Sequence, residues 1–170
     1  MDVISAIQQR RSIRRYQSKP VPAEDLKIIL ECARLAPSAG NRQPWHFLVV
    51  REEETKRRLA EACFGQKWMA EAGAIVCAVG LPEVSNAWYR VDVAIAMQNL
   101  VLAATSLGYG TCWVGAFEEA KVKEVLGIPA EVSVVALTPL GTPAAQPEAR
   151  DRRPFEEVLS GERFGQPLAP

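Results

Sequence analysis

The chain has 170 residues, 48% of them hydrophobic and 24% charged, which is typical of one globular domain and excludes repeat arrays and disordered proteins. Its 20 basic and 20 acidic residues cancel, which argues against nucleic acid or a membrane surface as a partner. Four scattered cysteines without a Cys-x-x-Cys pair predict neither a metal site nor a redox dithiol, so we expect a cytoplasmic protein with reduced thiols.

The first predicted elements are two helices around an extended basic segment. Val3, Ile4 and Ile7 form one apolar helical stripe, and the chain from 12 to 16 is predicted to be extended. A second helix begins after Pro22, and Pro37 marks its end, because the residue before a proline avoids the helical region. The apolar run 46–50 that follows predicts a strand.

The remaining elements alternate between helices and short apolar strands. A long helix from 88 to about 107, roughly 28 Å in length, is apolar on nearly all sides and is expected to cross the centre of the fold. The fold class is therefore α+β, with a mixed central sheet flanked by helices. The other expected elements are helices at 53–64 and 118–126, one or two helical turns at 66–72, and strands at 74–79, 112–114 and 132–138.

The end of the chain is rich in proline from Pro139 onward, and only a short helix at 155–159 is predicted there. An extended segment that cannot pack on itself often wraps a neighbouring subunit. We therefore expect one domain over 1–170, in which 143–170 form a C-terminal arm around the partner of a homodimer.

The extended basic segment is the first candidate binding site. Alternate residues of an extended chain share a face, so Ser12, Arg14 and Tyr16 are expected to point the same way, with Arg10 near them. Guanidinium groups and a hydroxyl suit a phosphate, which accepts several charge-assisted hydrogen bonds. The alternative is a solvated basic helix end.

The loop from Pro37 to Trp45 is the second candidate site. Its small residues and amide side chains would let the backbone approach a planar ligand while Asn and Gln contact the ligand's polar edge. The alternative is an ordinary connection between a helix and a strand.

Taken together, these segments resemble the FMN-dependent nitroreductase family. The resemblance runs through nearly the whole chain in the family's order and spacing, and it is specific for the family rather than for one activity within it. It is carried by four blocks: RRSIR at 10–14, APSAGNRQPWHF at 36–47, VDVAIAMQNL at 91–100 and LGYGTCWVGAF at 107–117.

This resemblance implies a layered α+β fold in an intertwined homodimer, with two FMN sites between the subunits. The loop residues would come from the partner subunit, Arg11 would lie near the ribityl chain, and Gln66 would bond the pyrimidine edge. The implied FMN-binding residues are Arg10, Ser12, Arg14, Arg150, Arg152 and Arg153 at the phosphate, Arg11, Gln66, the loop residues Pro37, Ser38, Ala39 and Asn41, and Trp113, Val114 and Gly115 along the isoalloxazine.

The implied activity is that of an oxidoreductase in which NADH or NADPH reduces FMN, and FMN then reduces a nitroaromatic, a quinone or a similar flat acceptor by a ping-pong mechanism. No catalytic side chain is expected, because the flavin carries the chemistry. The alternatives are another activity of this superfamily (oxidase, reductive dehalogenase or flavin breakdown) and a flavin-binding module without efficient turnover. The physiological acceptor, the preferred nicotinamide and the reactivity with oxygen stay open.

The chain also departs from longer family members, which often have a helical excursion over the flavin and an acidic residue in the block at 113–116. It has neither, so a broad range of flat acceptors is expected. His46, the only histidine, is assigned a structural, semi-buried role. Polar residues of the long helix, such as Asp92, are expected to satisfy buried polar groups. Trp68, Trp88 and Tyr89 could belong to the core or to the wall of the substrate opening.

Overall fold

The computed structural model describes residues 1–168, and its elements form three layers with a sheet in the middle. The helices are α1 (Val3–Gln9), α2 (Ala23–Arg34), α3 (Glu53–Ala62), α4 (Tyr89–Ser106), α5 (Glu119–Leu126) and α6 (Phe155–Val158). The strands are β1 (Trp45–Val50), β2 (Ala74–Gly80), β3 (Gly110–Thr111) and β4 (Ser133–Gly141), and 3-10 turns lie at Ala39–Asn41 and Lys67–Glu71. The predicted α+β class is confirmed. None of the helices in this range is long and apolar enough to cross a membrane.

Within residues 1–168 the sheet has the strand order β1-β2-β4-β3, and each of its three ladders is antiparallel. The prediction of a mixed sheet is therefore wrong for the described chain. Its one parallel contact is an isolated bridge between Ser12 and Thr111 at the β3 edge. Hydrophobic runs could not reveal this, because a helical connection can return the chain to the sheet in either direction.

Helices cover both faces of the sheet, and β2 explains why. All seven of its residues are buried, and successive side chains point to opposite faces. Val76 and Ala78 pack with α2 and α4 on one face. Ile75 and Cys77 pack with α3 and α5 on the other. The apolar run that predicted this strand is continuous because both of its faces are covered.

Strands β3 and β4 both differ from their predicted bounds, and Pro139 of β4 explains where β3 ends. Strand β4 runs through Pro139 to Gly141, whereas β3 ends at Thr111, which pairs with Leu140. The next position along β3 would face Pro139, which has no N–H to donate. The N–H of Cys112 instead donates to the Thr138 hydroxyl at 3.2 Å. The predicted strand 112–114 is therefore reduced to one isolated bridge, between Val114 and Leu137.

Helix α4 packs against α2 and the sheet, as expected for a central helix, and in the single chain it is buried on one face only. Val93, Met97 and Leu100 are fully buried against α2 and the sheet. On the opposite face, Val91 is 48% exposed and Ile95 is 38% exposed. The helix thus offers an outer apolar face that this chain does not cover.

The N-terminal helix and the C-terminal segment also expose apolar side chains. The predicted stripe on α1 faces solvent, with Val3 68% and Ile4 67% exposed. The chain as a whole exposes 10105 Å², against about 8,300 Å² expected for a compact monomer of this mass. The excess surface indicates that part of the chain does not pack on its own domain.

That part is the segment from residue 144 onward, which is exposed almost throughout. Its root is fixed: the Ala144 N–H donates to the Arg15 carbonyl at 2.9 Å, and the Gln17 amide donates to the Pro143 carbonyl at 3.0 Å. Beyond the root, Phe155 of α6 is 62% exposed and Phe164 is fully exposed. Residues 169 and 170 of the predicted arm lie outside the described residues.

Candidate functional site

The basic segment leaves α1 and runs along the edge of β3. The Ile13 N–H donates to the Thr111 carbonyl at 2.9 Å, and the Ile13 side chain is buried against Gly110. A Cβ atom at Gly110 would lie 2.5 Å from Ile13 Cγ1, so this close approach requires a glycine. A backbone hydrogen bond and a buried side chain therefore hold the segment in place.

The face on which the side chains lie differs in part from the prediction. Tyr16 is buried with Ile13 and Ala72, and its hydroxyl donates to the Ile13 carbonyl at 2.8 Å. Burial raises the pKa of Tyr16 well above its usual range. Arg14 is exposed instead, so Tyr16 does not share the face of Arg14. The strict alternation of an extended strand fails here because only isolated bridges hold this segment.

Arginines from two distant segments meet at one cavity of about 390 Å³. A single acidic side chain, that of Glu148, is among its lining residues, so the cavity is strongly basic. Of the predicted phosphate residues, Arg153 is not in the lining, and its guanidinium pairs with Glu157 at 3.1 Å. The predicted residues that do line the cavity are Arg10, Arg11, Ser12, Arg14, Arg150 and Arg152.

Local contacts orient these arginines. The Arg11 guanidinium donates to the carbonyls of Gln8 at 2.7 Å and Arg10 at 2.9 Å, so it caps the carboxyl end of α1. The Arg14 guanidinium lies over the Trp68 ring, 5.9 Å from its centroid. Trp68 is half-buried and packs against the core, which places it beneath Arg14 rather than at an opening.

The predicted loop forms a compact turn of its own. Gly40 and Asn41 both have positive φ, 59° and 53°, and Gln43 does as well, at 53°. The Ser38 hydroxyl accepts from the Gln43 N–H at 2.9 Å, and the Ser38 carbonyl accepts from the Asn41 N–H at 2.9 Å. Pro37, Gly40 and Asn41 are exposed. No residue of this loop is among the residues that line the arginine cavity.

The third group of predicted residues follows β3. Val114 is buried, and its N–H and carbonyl both pair with Leu137, at 2.8 and 3.0 Å. Its neighbours Trp113 and Gly115 are exposed. Gln66, from another part of the chain, is half-buried and donates to the Cys63 carbonyl at 3.0 Å. These residues, like the loop, are absent from the lining of the arginine cavity.

The structure also shows where the side chains lie for which the sequence predicted a structural role or left two roles open. His46 is exposed on β1 rather than semi-buried, because β1 lies at the edge of the sheet. The expected role of Asp92 is met at one of its two oxygens: Oδ1 accepts from the Ala39 N–H at 3.1 Å, whereas Oδ2 has no partner in residues 1–168. Tyr89 is packed against Gly80, whereas Trp88 is 53% exposed. Sequence reasoning missed the stacking of Arg14 on Trp68, because their contact joins positions 54 residues apart.

Three of the four cysteines, Cys63, Cys77 and Cys112, are buried. Burial raises the pKa of Cys63 to about 11, and burial together with the nearby Cys63 raises that of Cys77 to about 12. Burial also raises the pKa of Cys112. Activated cysteines have a lowered pKa, so none of these three is suited to act as a nucleophile. No cluster of three or more His, Cys, Asp or Glu side chains that could hold a metal ion occurs in residues 1–168.

Comparison with known proteins links this geometry to one family. The nitroreductase family profile matches residues 7–74 and 63–142. A relative from Archaeoglobus fulgidus, named for NADH dehydrogenase and NAD(P)H nitroreductase, is 40% identical over 166 residues, covering 92% of this chain and 91% of the relative. The Bacillus subtilis protein named FMN reductase (NAD(P)H) is 30% identical over 185 residues, covering 96% of this chain and 74% of the relative.

The fold is also similar to solved structures. A nitroreductase family protein from Clostridium novyi NT superposes with a TM-score of 0.80 at 35% sequence identity. The superposition covers 99% of this chain and 97% of that protein. Sequence and fold therefore agree over essentially the whole chain.

Proposed function

This chain belongs to the nitroreductase family, and on that premise we propose that it is an FMN-dependent oxidoreductase. When bound, FMN would accept a hydride from NADH or NADPH and pass the electrons to a nitroaromatic, a quinone or a similar flat acceptor. The observation that carries the proposal is the cavity in which five arginines and Ser12 meet.

The residues around this cavity fit the phosphate end of FMN. A phosphate monoester carries a charge of about −1.5 to −2 at neutral pH and accepts charge-assisted hydrogen bonds, which guanidinium groups donate in pairs. Arg10, Arg14 and Arg152 would supply these donors, and the Ser12 hydroxyl would add another. Without an anion, several positive charges at one cavity repel each other, so a bound phosphate would also relieve this repulsion.

The other residues predicted to bind FMN do not line this cavity, which supports a site shared by two copies of the chain. We propose that the loop Pro37–Asn41 of a second copy contributes to the flavin bound at the arginines of the first. The exposed apolar residues of α1 and α4 and the uncovered arm give such a dimer its contact surface. The surface excess of the single chain supports the same assembly.

In this proposal the side chains bind and orient rather than react. Arg14, which stacks on Trp68, would bind the phosphate. Val114 is buried and fixes the backbone there, and its neighbours Trp113 and Gly115 are exposed. A nicotinamide and an acceptor that use one opening must bind in turn. Parallel initial-rate lines in double-reciprocal plots are therefore expected.

The decisive experiment starts with the visible spectrum of the purified protein and mass spectrometry of any flavin released on denaturation. We expect a bound flavin of the mass of FMN that NADH or NADPH bleaches under anaerobic conditions and that a quinone or nitroaromatic reoxidises. Binding without rapid bleaching would support a flavin-binding module instead. Rapid reoxidation by oxygen alone would favour an oxidase, and a chain that binds no flavin would refute the proposal.

A further inference from the structure

Asp92 is an unusual residue in this structure. It lies in the first turn of α4 and is only 2% exposed. Its Oδ1 accepts from the Ala39 N–H at 3.1 Å, whereas its Oδ2 is buried and has no hydrogen-bond partner in the described chain. A buried carboxylate lowers stability unless donors compensate for its lost hydration. Asp92 is therefore only half compensated within residues 1–168.

The one bond that Asp92 makes has a particular target. Residues 38–43 hydrogen-bond among themselves, through Ser38, Ala39 and Asn41. In the described chain, the bond from Ala39 to Asp92 is the only hydrogen bond that ties these six residues to another element. Asn41 and Gln43 of this loop have positive φ, a conformation that the surrounding structure must hold in place in a residue other than glycine. The bond to Asp92 anchors this loop to α4 at Ala39.

We propose that Asp92 is a positioning residue for flavin binding. Its carboxylate fixes the Ala39 N–H and thereby the turn Ala39–Asn41, which the proposed function places against the ring system of FMN bound by a second copy. The inference rests on the proposed function and adds a residue that does not belong to the arginine cavity. A carboxyl side chain suits this task, because its oxygen accepts the backbone N–H directly at hydrogen-bond distance.

Three substitutions separate positioning from simple packing. Asp92→Ala removes the acceptor, Ala39→Pro removes the donor, and Asp92→Asn keeps an acceptor of the same shape without the charge. Proline is tolerated at the first position of a helical turn, and Ser38 before it is already extended. Asn99→Ala is the matched control: its amide also bonds from α4 to a distant backbone carbonyl, that of Cys32 at 3.3 Å, but away from the loop.

The measurement is the affinity for FMN and for riboflavin, together with the visible absorption spectrum of the bound flavin. Asp92→Ala should weaken the binding of both flavins equally, by about tenfold, because the loop would contact the ring and not the phosphate. Asp92→Asn should stay within about threefold of the native affinity. Asn99→Ala should leave affinity and spectrum unchanged, even where it lowers the melting temperature.

A double-mutant cycle tests the bond itself. If Asp92 acts through the Ala39 N–H, combining Asp92→Ala with Ala39→Pro should weaken flavin binding little more than either change alone. Should Asp92→Ala fail to fold, Ala39→Pro carries the test alone, with the same tenfold loss expected for both flavins.

Several results would overturn the inference: native affinity in the Asp92→Ala or Ala39→Pro protein, a loss confined to FMN, or an Asp92→Asn protein as impaired as Asp92→Ala. A native chain without any affinity for flavin would instead refute the proposed function. The two failures are therefore distinguishable.

Discussion

The two ends of the proposed flavin site differ in how much of each a single chain assembles. At the phosphate end, Arg10 and Arg14 meet Arg150 and Arg152 at one cavity, although about 140 residues separate the two pairs. At the ring end, the loop Pro37–Asn41 and its fellow candidates lie outside that cavity. One chain can therefore gather the charges for a phosphate, whereas enclosing the ring would require a second chain.

The difference arises because the arm and the loop are hydrogen-bonded to different elements of the chain. The root of the arm is hydrogen-bonded to the basic segment through Arg15 and Gln17, so folding of one chain brings both sets of arginines together. The loop is fastened to α4 through Asp92. Each part is thus anchored within the chain, but only the residues of the phosphate end are brought together at one cavity.

Removing the arm should have the largest effect on FMN affinity and on dimer formation, because it takes away part of the phosphate end. A chain ending at Gln146 keeps the root hydrogen bonds but lacks Arg150, Arg152 and the exposed apolar residues beyond them. Losing two charge-assisted partners and the dimer contact should lower FMN affinity more than about a hundredfold. Sedimentation should show a monomer. The control is a chain ending at Ser160, which retains Arg150, Arg152 and Arg153, and a stable dimer of the Gln146 chain would contradict the proposed role of the arm.

Single arginine substitutions should have a smaller and more selective effect. Alanine at Arg10 or at Arg14 should remove about 1.5 to 3 kcal/mol of charge-assisted bonding and weaken FMN binding about ten- to hundredfold. Riboflavin lacks the phosphate, so its affinity should hardly change. Titration of each variant with both flavins measures this selectivity, and Arg153→Ala is the control because Arg153 is outside the cavity. Equal losses for FMN and riboflavin would disprove the phosphate assignment.

A change in the body of the fold should affect stability without affecting either end of the site. Tyr109 donates its hydroxyl proton to Asp25, and this bond, with burial, raises the Tyr109 pKa to about 12. Tyr109→Phe should lower the free energy of unfolding by about 1 kcal/mol at neutral pH. Affinities for FMN and riboflavin should stay native. A loss of flavin binding would show that the two ends depend on the body more strongly than proposed.

The same tyrosine predicts a pH dependence. Its pKa is raised on folding from about 10, so its contribution to stability is complete below pH 10 and is lost as the pH rises toward 12. Chemical denaturation from pH 8 to 12 should therefore show the native protein and Tyr109→Phe converging in stability. A constant difference across this range would rule out the linkage.

The smallest effect is expected at His46. It is exposed on the edge strand β1, so Gln should replace it without a packing defect. If both ends of the site only bind and position, His46→Gln should change the maximal rate less than about threefold, far below the 10² to 10⁴-fold typical of a lost general acid or base. Steady-state rates at saturating FMN provide the measurement. A hundredfold loss with FMN still bound would place a reacting side chain in the site.

Much of the fold could be predicted from local sequence signals. The start of α2 after Pro22 and the end of α5 at Gly127, which has a φ of 64°, follow from the conformations that proline and glycine prefer. Strand β2 is evident from its uninterrupted apolar run. The family could be recognised as well, because its blocks are short, ordered and local.

The predictions that failed concern partners distant in sequence. The end of β3 at Thr111 depends on Pro139 facing the next position. The burial of Tyr16 and the exposure of Arg14 depend on the bridges that hold the basic segment. No periodicity within either segment contains this information. The direction of the strands belongs to the same class, since the helical connections permit both directions.

The amino-acid sequence by itself determined the helices and strands, the family and the residue types available for a phosphate, because these depend on neighbours a few positions apart. Only the tertiary structure decided that Arg14 stacks on Trp68, that Arg152 shares a cavity with Arg10, and that Asp92 holds Ala39. Such contacts form when distant elements pack around the sheet, because burial and the need to pair polar groups then decide which side chains meet. Spacing along the chain does not encode that selection.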